Sequence, residues 1–505
     1  MGSQHPDHID FAGDYNLNGI ILQAHDGTGG RIGEGGVNIQ ALVQELNIYE
    51  GINQTAVYGT LVMVDSLNLI SNLPIQGTER LFFKLSTPGS SEVEHIIDAS
   101  EETGHPFYVY KISNKQQTSQ GTQVYTIHFC SREFLRNIRT KVSKAYEGKL
   151  SDMVQQIVAE KEGLDSRKTL YYEETSNADK FVMPNISPFK AISMIAKRAL
   201  PEHGNGVGYY YYETTKGLYF QSWENMCAVE ATHRRRPIQE FYYMPQNITD
   251  DKTYVGFPLP TSNFKATGNE TKELHDLKSV EEYKFVNTFH DTAAAQALGT
   301  YGHRVISHNL FAKDFKETDW NYHEQFNQTV HADHQGNKGA TNPTVFGNPV
   351  DFDNNRVSDY PESMVSLQPT TQFLHNEASG SFGTDVNDDG RLEGVRNAQK
   401  MQVEAGTTIQ MTIKGQTYIQ PGDAIDFQVR PVEPEGQTAD KKAYDAQYSG
   451  RYIITKVRHR VTKQDYKMVL EVKKDSVREA HHGSSVDNFV GTANNENTQY
   501  KKIDS

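Results

Sequence analysis

At 505 residues the chain is long enough for three or four packed units, because domains usually run to about 100–200 residues. Hydrophobic residues make up 36% and charged residues 23%, a mix that can bury a core, and no apolar run approaches the roughly 20 residues that cross a bilayer. A formal charge of −14 argues against a general nucleic-acid binder, whose hold on phosphate rests on lysines and arginines gathered on one face.

Two cysteines, Cys130 and Cys227, are too few for a disulfide framework and suit folding in a reducing cytoplasm. The N-terminal MGSQHPDHIDFAGD has neither a basic region nor an apolar stretch, so no secretion signal is expected. The basic run His233–Arg236, followed by Pro237, reads as a solvated loop. The 27 tyrosines and 23 phenylalanines, with short β-branched stretches, favour sheets.

The first 130 residues read as strands separated by turns: 19–25, 39–51, 56–66, 80–89, 107–114 and 123–131. Leu81, Phe83 and Leu85 alternate against Phe82 and Lys84, and Tyr125, Ile127 and Phe129 against Val124, Thr126 and His128. The stretch 56–66 is apolar on both faces, with Val57, Leu61 and Met63 on one and Val62 and Val64 on the other, so it wants cover on both sides. An ordinary sandwich core explains the same pattern. The glycine-rich 27–36 is followed by alternation rather than a capped helix, and so reads as a strand connection rather than a nucleotide cradle. Residues 65–77 break the rhythm as a short helix or turn.

At residue 131 the period becomes helical. Ser131 can cap a helix carrying Phe134, Leu135 and Ile138 on one stripe. A second helix starts at Ser151, with Met153, Val154, Ile157 and Val158 inward and Gly163 closing it. In a third, Ser187 is the N-cap, Pro188 takes the first helical position and Phe189, Ile192, Ile195, Ala196 and Ala199 line one face, until Pro201 stops it. Strands return at 206–223 as a hairpin turning at Lys216-Gly217. Residues 233–395 are rich in Asn, Asp, His, Gly and Thr; 285–311 holds a helix and a strand, and much of 320–390 reads as long loops. Beyond 396, residues 407–429 read as two strands, a Pro-Gly turn and a third strand, and 449–475 as a hairpin turning at Thr462–Asp465.

Three segments then carry a resemblance. ELNIYEGI with VYGTLVMVDSLNLISNLPIQGTERLFFKL resembles the first tube-like domain of contractile-tail phage baseplate central hub proteins, the T-even-type family related to the base of the type VI secretion spike. YTIHFCSREFLRNIRTKVSKAYEGKLSDMVQQIVAE and DKFVMPNISPFKAISMIAKRA resemble that family's α/β domain between the barrels. IKGQTYIQPGDAIDFQV, SGRYIITKVRHRV and MVLEVKKD resemble its second tube-like domain.

The resemblance implies an α+β, mainly β chain in which two tube-like β-barrel domains flank an α/β middle domain, with a long loop-rich insertion. The expected boundaries are 10–130 for the first barrel and 131–205 for the middle domain. The second barrel takes 206–232 and 396–475, the insertion or additional domain 233–395, and a flexible tail 476–505. It also implies a non-enzymatic homotrimer, a pseudo-sixfold ring joining the tail tube or tube-initiator proteins to the central spike protein. Baseplate wedge proteins are further partners, and DNA passes through the ring without specific binding or membrane insertion. The setting implied is the virion tail, assembled in the host cytoplasm. The two β portions should then be near-copies, each too incomplete to stand alone and so closing against neighbours into an annulus.

Chemical motifs are few. Asp385, Asn387, Asp389 and Glu393 have the spacing of a calcium loop, with Gly390 at the sixth position. Arg396 stands where the bidentate glutamate belongs, and an Asx-rich turn explains the same residues. His323, His331 and His334, with His303 and His308 nearby, read as loop histidines, since HADH supplies only two ligands and no cysteine follows. There is no G-x-S-x-G elbow, and Glu101-Glu102 and Glu281-Glu282 read as solvated charge. The alternatives are a peptidoglycan hydrolase, which needs a carboxylate pair in a cleft, and a carbohydrate-binding tail protein stacking sugars on Tyr209–Tyr212.

Overall fold

The structure, a computed structural model, describes residues 11–23, 36–72, 75–88, 95–100, 102–119, 121–203, 206, 208–228, 238–243, 277–289, 292–309, 313–333, 350–369, 406–429, 445 and 447–478. It is mainly β, as the alternating sequence leads one to expect. The first unit contains β1 (Asn16–Gln23), β2 (Val37–Asn38), β3 (Val43–Gly51), β4 (Tyr58–Asp65), the short helix α1 (Leu69–Asn72), β5 (Arg80–Ser86), β6 (Ile97–Asp98), β7 (Phe107–Ser119) and β8 (Thr122–Cys130). Its antiparallel order is β1-β5-β7-β8-β4-β3. Leu81, Phe83, Leu85, Tyr125, Ile127 and Phe129 all point inward and are buried, each contributing about 1.5–3 kcal/mol through burial. Gly59 is needed in β4 because a Cβ there would stand 2.0 Å from the Phe129 ring on the neighbouring strand.

The middle unit follows as α2 (Arg132–Arg139), β9 (Ala145–Lys149), α3 (Leu150–Ala159), β10 (Leu170–Tyr172), β11 (Ala178–Val182), α4 (Pro188–Ala196), β12 (Tyr209–Thr214), β13 (Gly217–Ser222) and α5 (Trp223–Cys227). The inward faces of α3 and α4 are those read from the sequence. That of α2 is not: Ile138 is 56% exposed while Glu133 is buried, and the Ser131 hydroxyl bonds Glu213 (2.6 Å) instead of capping the helix. The β12–β13 hairpin, expected in the second barrel, joins β10 in a three-stranded sheet. Its aromatic alternation explains this placement. Tyr209, Tyr211 and Phe220 pack with the α3–α4 core, and Tyr212 packs on the other side with Trp223, Ile52 and Ile453.

The second barrel is built from β14 (Gln239–Tyr243), β15 (Ser279–Asn287), β19 (Thr407–Lys414), β20 (Ala424–Gln428), β21 (Gly450–Thr462) and β22 (Tyr466–Lys474). Two of its strands thus come from the stretch read as an insertion. Between β19 and β20 no further strand forms among the described residues. Thr417 instead ties to the first barrel, its N–H bonding Thr87 Oγ1 (3.0 Å) and its hydroxyl the His95 carbonyl (2.6 Å). Between β15 and β19 lie α6 (Thr292–Ala297), β16 (Gly302–Asn309), β17 (Asp314–Asn321), α7 (Tyr322–Gln325) and β18 (Val365–Pro369). They form a small unit with the sheet β17-β16-β18 and a core of Phe289, Tyr301, Tyr322, Phe326 and Val357.

Both barrels follow one plan. Counting the six main strands of each in chain order, both run 1-2-3-6-5-4 around the wall, differing in the direction of the first strand. The second closes on itself through β14–β15 and β21–β22, so the expectation that it is incomplete alone is wrong. In the first, β1 and β3 do not pair among the described residues, and a cavity of about 590 Å3 walled by Leu17, Ile20, Val43, Leu46 and Val461 fills the gap. The barrels share one sheet: β3 pairs antiparallel with β21 over Glu45–Gly51 and Lys456–Thr462. Their interiors form one continuous apolar core.

Candidate functional site: a buried ion network at the joint of the barrels

The tip of the β12–β13 hairpin enters the angle where both barrels and the middle unit meet. Glu213 continues the inward register of Tyr209 and Tyr211 and is fully buried. One of its oxygens accepts from the Val57 N–H (3.2 Å) and the Ser131 hydroxyl, and the other from Lys168 Nζ. Lys168 Nζ also lies 3.7 Å from Glu133, which accepts from the Ser166 hydroxyl (2.6 Å). Next to this group, buried Glu50 of β3 accepts from the Thr215 N–H (3.0 Å) and sits 4.0 Å from His459 of β21, whose Nδ1 contacts the Tyr466 hydroxyl (2.7 Å). The hairpin tip therefore bonds the first barrel and the rest of the middle unit, and Glu50 carries the contact on to His459 of the second barrel.

Charges buried this way must be paired or neutralised. Burial pushes the Glu213 carboxyl up to about 7, although Lys168 pulls it back. Burial also raises Glu133, but Lys168 and Ser166 outweigh it and hold that carboxyl below the usual range. Burial holds His459 down at about 3, so it stays neutral. A raised acid beside an ionised one is the pairing a hydrolase needs. Here, however, protein groups occupy the carboxylates and Glu213 has no exposure, so no substrate reaches them.

A second lock joins the small unit to the end of β22. His331 is buried against Asp475, with Nε2 facing the Phe326 carbonyl (2.7 Å) and its ring stacked on Phe326. Ala332 and Asp333 donate to Asp475 (2.9 Å) and Ser476 (3.0 Å), and buried Lys474 lies 3.7 Å from Asp333. On the outer face of the shared sheet, Glu45 of β3 pairs with Arg458 (3.3 Å) and Arg460 (3.0 Å) of β21.

Of the residues marked out in the sequence, Asp385, Asn387, Asp389, Glu393 and His334 lie outside the described residues, as do His233–Arg236 and 27–35. His303 and His331 are buried rather than loop-exposed. Among the described residues no group of three His, Cys, Asp or Glu side chains could hold a metal ion. Glu281 is not simply solvated charge, since it bridges Lys414 (2.6 Å) and Lys467 (2.8 Å). Tyr209, Tyr211 and Tyr212 are buried and offer no sugar-stacking face. The ion network escaped the sequence reading, although a glutamate in the inward register of YYYYET was a usable signal.

Two six-stranded units of one strand order, sharing a sheet and pinned by a buried hairpin, define a tandem-barrel architecture. No family model matches the chain. It is similar to the probable baseplate hub protein gp334 of Vibrio phage KVP40, 21% identical over 440 residues, covering 87% of this chain and 91% of that protein. The resemblance to baseplate hub proteins read from the sequence is thus matched by a relative along most of the chain. Among solved structures, a tail protein from Neisseria meningitidis MC58 is 10% identical with a TM-score of 0.47, covering 91% of this chain and 97% of its own. The 43 kDa tail protein of prophage MuSo2 from Shewanella oneidensis is 8% identical with a TM-score of 0.48, covering 92% of this chain and 100% of its own.

Proposed function

We propose that the chain is a structural subunit of a phage baseplate hub. Three copies form a ring that joins the tail tube above to a trimeric central spike below and leaves an axial passage for DNA. The observation that carries this reading is the tandem of barrels with one strand order joined edge to edge: three such chains supply six similar units. The relative from a Vibrio phage supports it, being named a hub protein and alignable over most of both chains. The joint suits a part that bears load, because a continuous sheet and a shared apolar core resist separation of the barrels, while the buried ion network ties the first barrel to the middle unit. A net charge of −14 suits a passage that repels phosphate. In this reading the partners are further copies of the chain, the spike, the tube and the baseplate wedges. The place is the virion tail, after assembly in the host cytoplasm, and the work is mechanical rather than catalytic.

Light scattering on the purified chain tests the reading. The expected particle has about three times the 57.0 kDa of one chain, alone or with spike protein. A particle that keeps the mass of one chain at high concentration, with and without spike, contradicts it.

A further inference from the structure

A second cavity, of about 230 Å3, lies where the first barrel meets the middle unit. The parallel register of β10 and β13 builds one wall. It pairs Leu170 with Leu218, so the residues two places earlier, Lys168 and Lys216, come to the same end of that sheet, with Arg167, Thr169 and Thr215 beside them. The Leu218 N–H bonds the Thr169 carbonyl (2.9 Å), and a Cβ on Gly217 would stand 2.8 Å from that same oxygen, so the hairpin turn is held close against residues 167–169. β6 and the start of β7 close the other side with Asp98, His105 and Phe107. Lys216 Nζ spans the seam to the Ile96 carbonyl (2.8 Å).

Three cations line this cavity, Arg167, Lys168 and Lys216, against one carboxylate, Asp98, whose charge is met by Lys84 (3.3 Å). Lys168 is already engaged by Glu213 and Glu133. Arg167 is not: it is exposed and makes no hydrogen bond or ion pair among the described residues, which leaves its fork of N–H groups to a ligand. On the facing wall the half-buried His105 ring takes no hydrogen bond among the described residues either. Burial holds its pKa down, and the charges of Lys168, Arg167 and Arg132 lower it further against the opposing pull of Glu133. The ring is thus a neutral donor in a positive field, and such a field gathers anions.

We propose that this cavity binds a small tetrahedral oxyanion of the phosphate class, with Arg167 as its principal donor and Lys216 and His105 completing the set. The volume lies below the roughly 300–1,000 Å3 of pockets that take drug-sized molecules, so the occupant is a small ion with its waters. Phosphate presents acceptor oxygens on every side, which suits donors arriving from two walls, whereas a carboxylate presents them on one. Held between Arg167 of the middle unit and His105 of the first barrel, the ion adds a staple to the seam that Lys216 already spans. The site is independent of how copies of the chain assemble.

Titration calorimetry of the full chain with inorganic phosphate, at an ionic strength held constant with chloride, tests the site. One phosphate per chain should bind, and Arg167→Gln should weaken it about tenfold. Thr169→Glu, which sets a carboxylate at the cavity, should weaken it at least as much. Both positions are exposed, so the fold should persist, and circular dichroism checks that it does. Lys141→Gln, which removes an exposed lysine outside the cavity, should leave binding unchanged. Phosphate should also raise the Tm of the wild type more than that of Arg167→Gln. No saturable binding, or binding that the folded Arg167→Gln and Thr169→Glu variants retain in full, would overturn the proposal. So would equal weakening by Lys141→Gln, the mark of diffuse surface charge, or binding of a short oligonucleotide where inorganic phosphate does not bind.

Discussion

Glu213 ties Val57 of the first barrel to Ser131 and Lys168 of the middle unit with two oxygens, and its partner Lys168 lies against two carboxylates at once. Replacing Lys168 by Met leaves Glu133 and Glu213 buried without their cation. The expected loss is about 3–5 kcal/mol of unfolding free energy, read by chemical denaturation. Glu213 also sets a pH dependence. Its carboxyl, pushed up to about 7 from 4.5, keeps a proton in the folded chain that the unfolded chain releases between those values. The stability from that proton is fully present below about 4.5 and is lost as pH rises through about 7. His459, held near 3 against 6.5, acts the other way, its contribution present above 6.5 and lost as pH falls toward 3. Comparing the wild type with Glu213→Gln leaves His459 in both proteins. The Tm of the wild type relative to this variant should therefore fall across pH 4.5–7, and a flat difference would show that Glu213 does not hold the proton.

At the scale of elements, period-two alternation located β5 and β8 and assigned their inward faces, because one side of each strand meets the core and the other does not. The stripes of α3 and α4 were legible for the same reason. Three readings at this scale failed, each where a contact distant in sequence outweighed local pattern. α2 turned Glu133 inward to meet Lys168, the 417–419 stretch bonded the first barrel instead of a ladder, and the tyrosine hairpin found two apolar partners at once. β4 holds a sharper test. Gly59→Ala drives a Cβ to within 2.0 Å of the Phe129 ring and 2.6 Å of the Asn47 carbonyl. Since Phe129 packs against both Phe83 and Phe107, it has little room to move. The cost should be at least about 1–3 kcal/mol, seen as a lower Tm, and an unchanged Tm would show that the ring can swing aside.

For the whole molecule, the family resemblance carried by three separated segments suggested two barrels around an α/β middle, but not which strands each barrel contains. β14 and β15 meet through only two residue pairs, and more than a hundred residues separate β15 from its partner β19, so no local period reveals the closure. The ion network was hidden for a related reason, its members coming together only once the hairpin docks. What remains is whether three such chains close into the proposed ring. Electron cryomicroscopy of the isolated particle answers this: the expected image is a threefold ring of six barrel-sized lobes around an open hole. Single chains under all conditions, or a particle without threefold symmetry or a central hole, would contradict it.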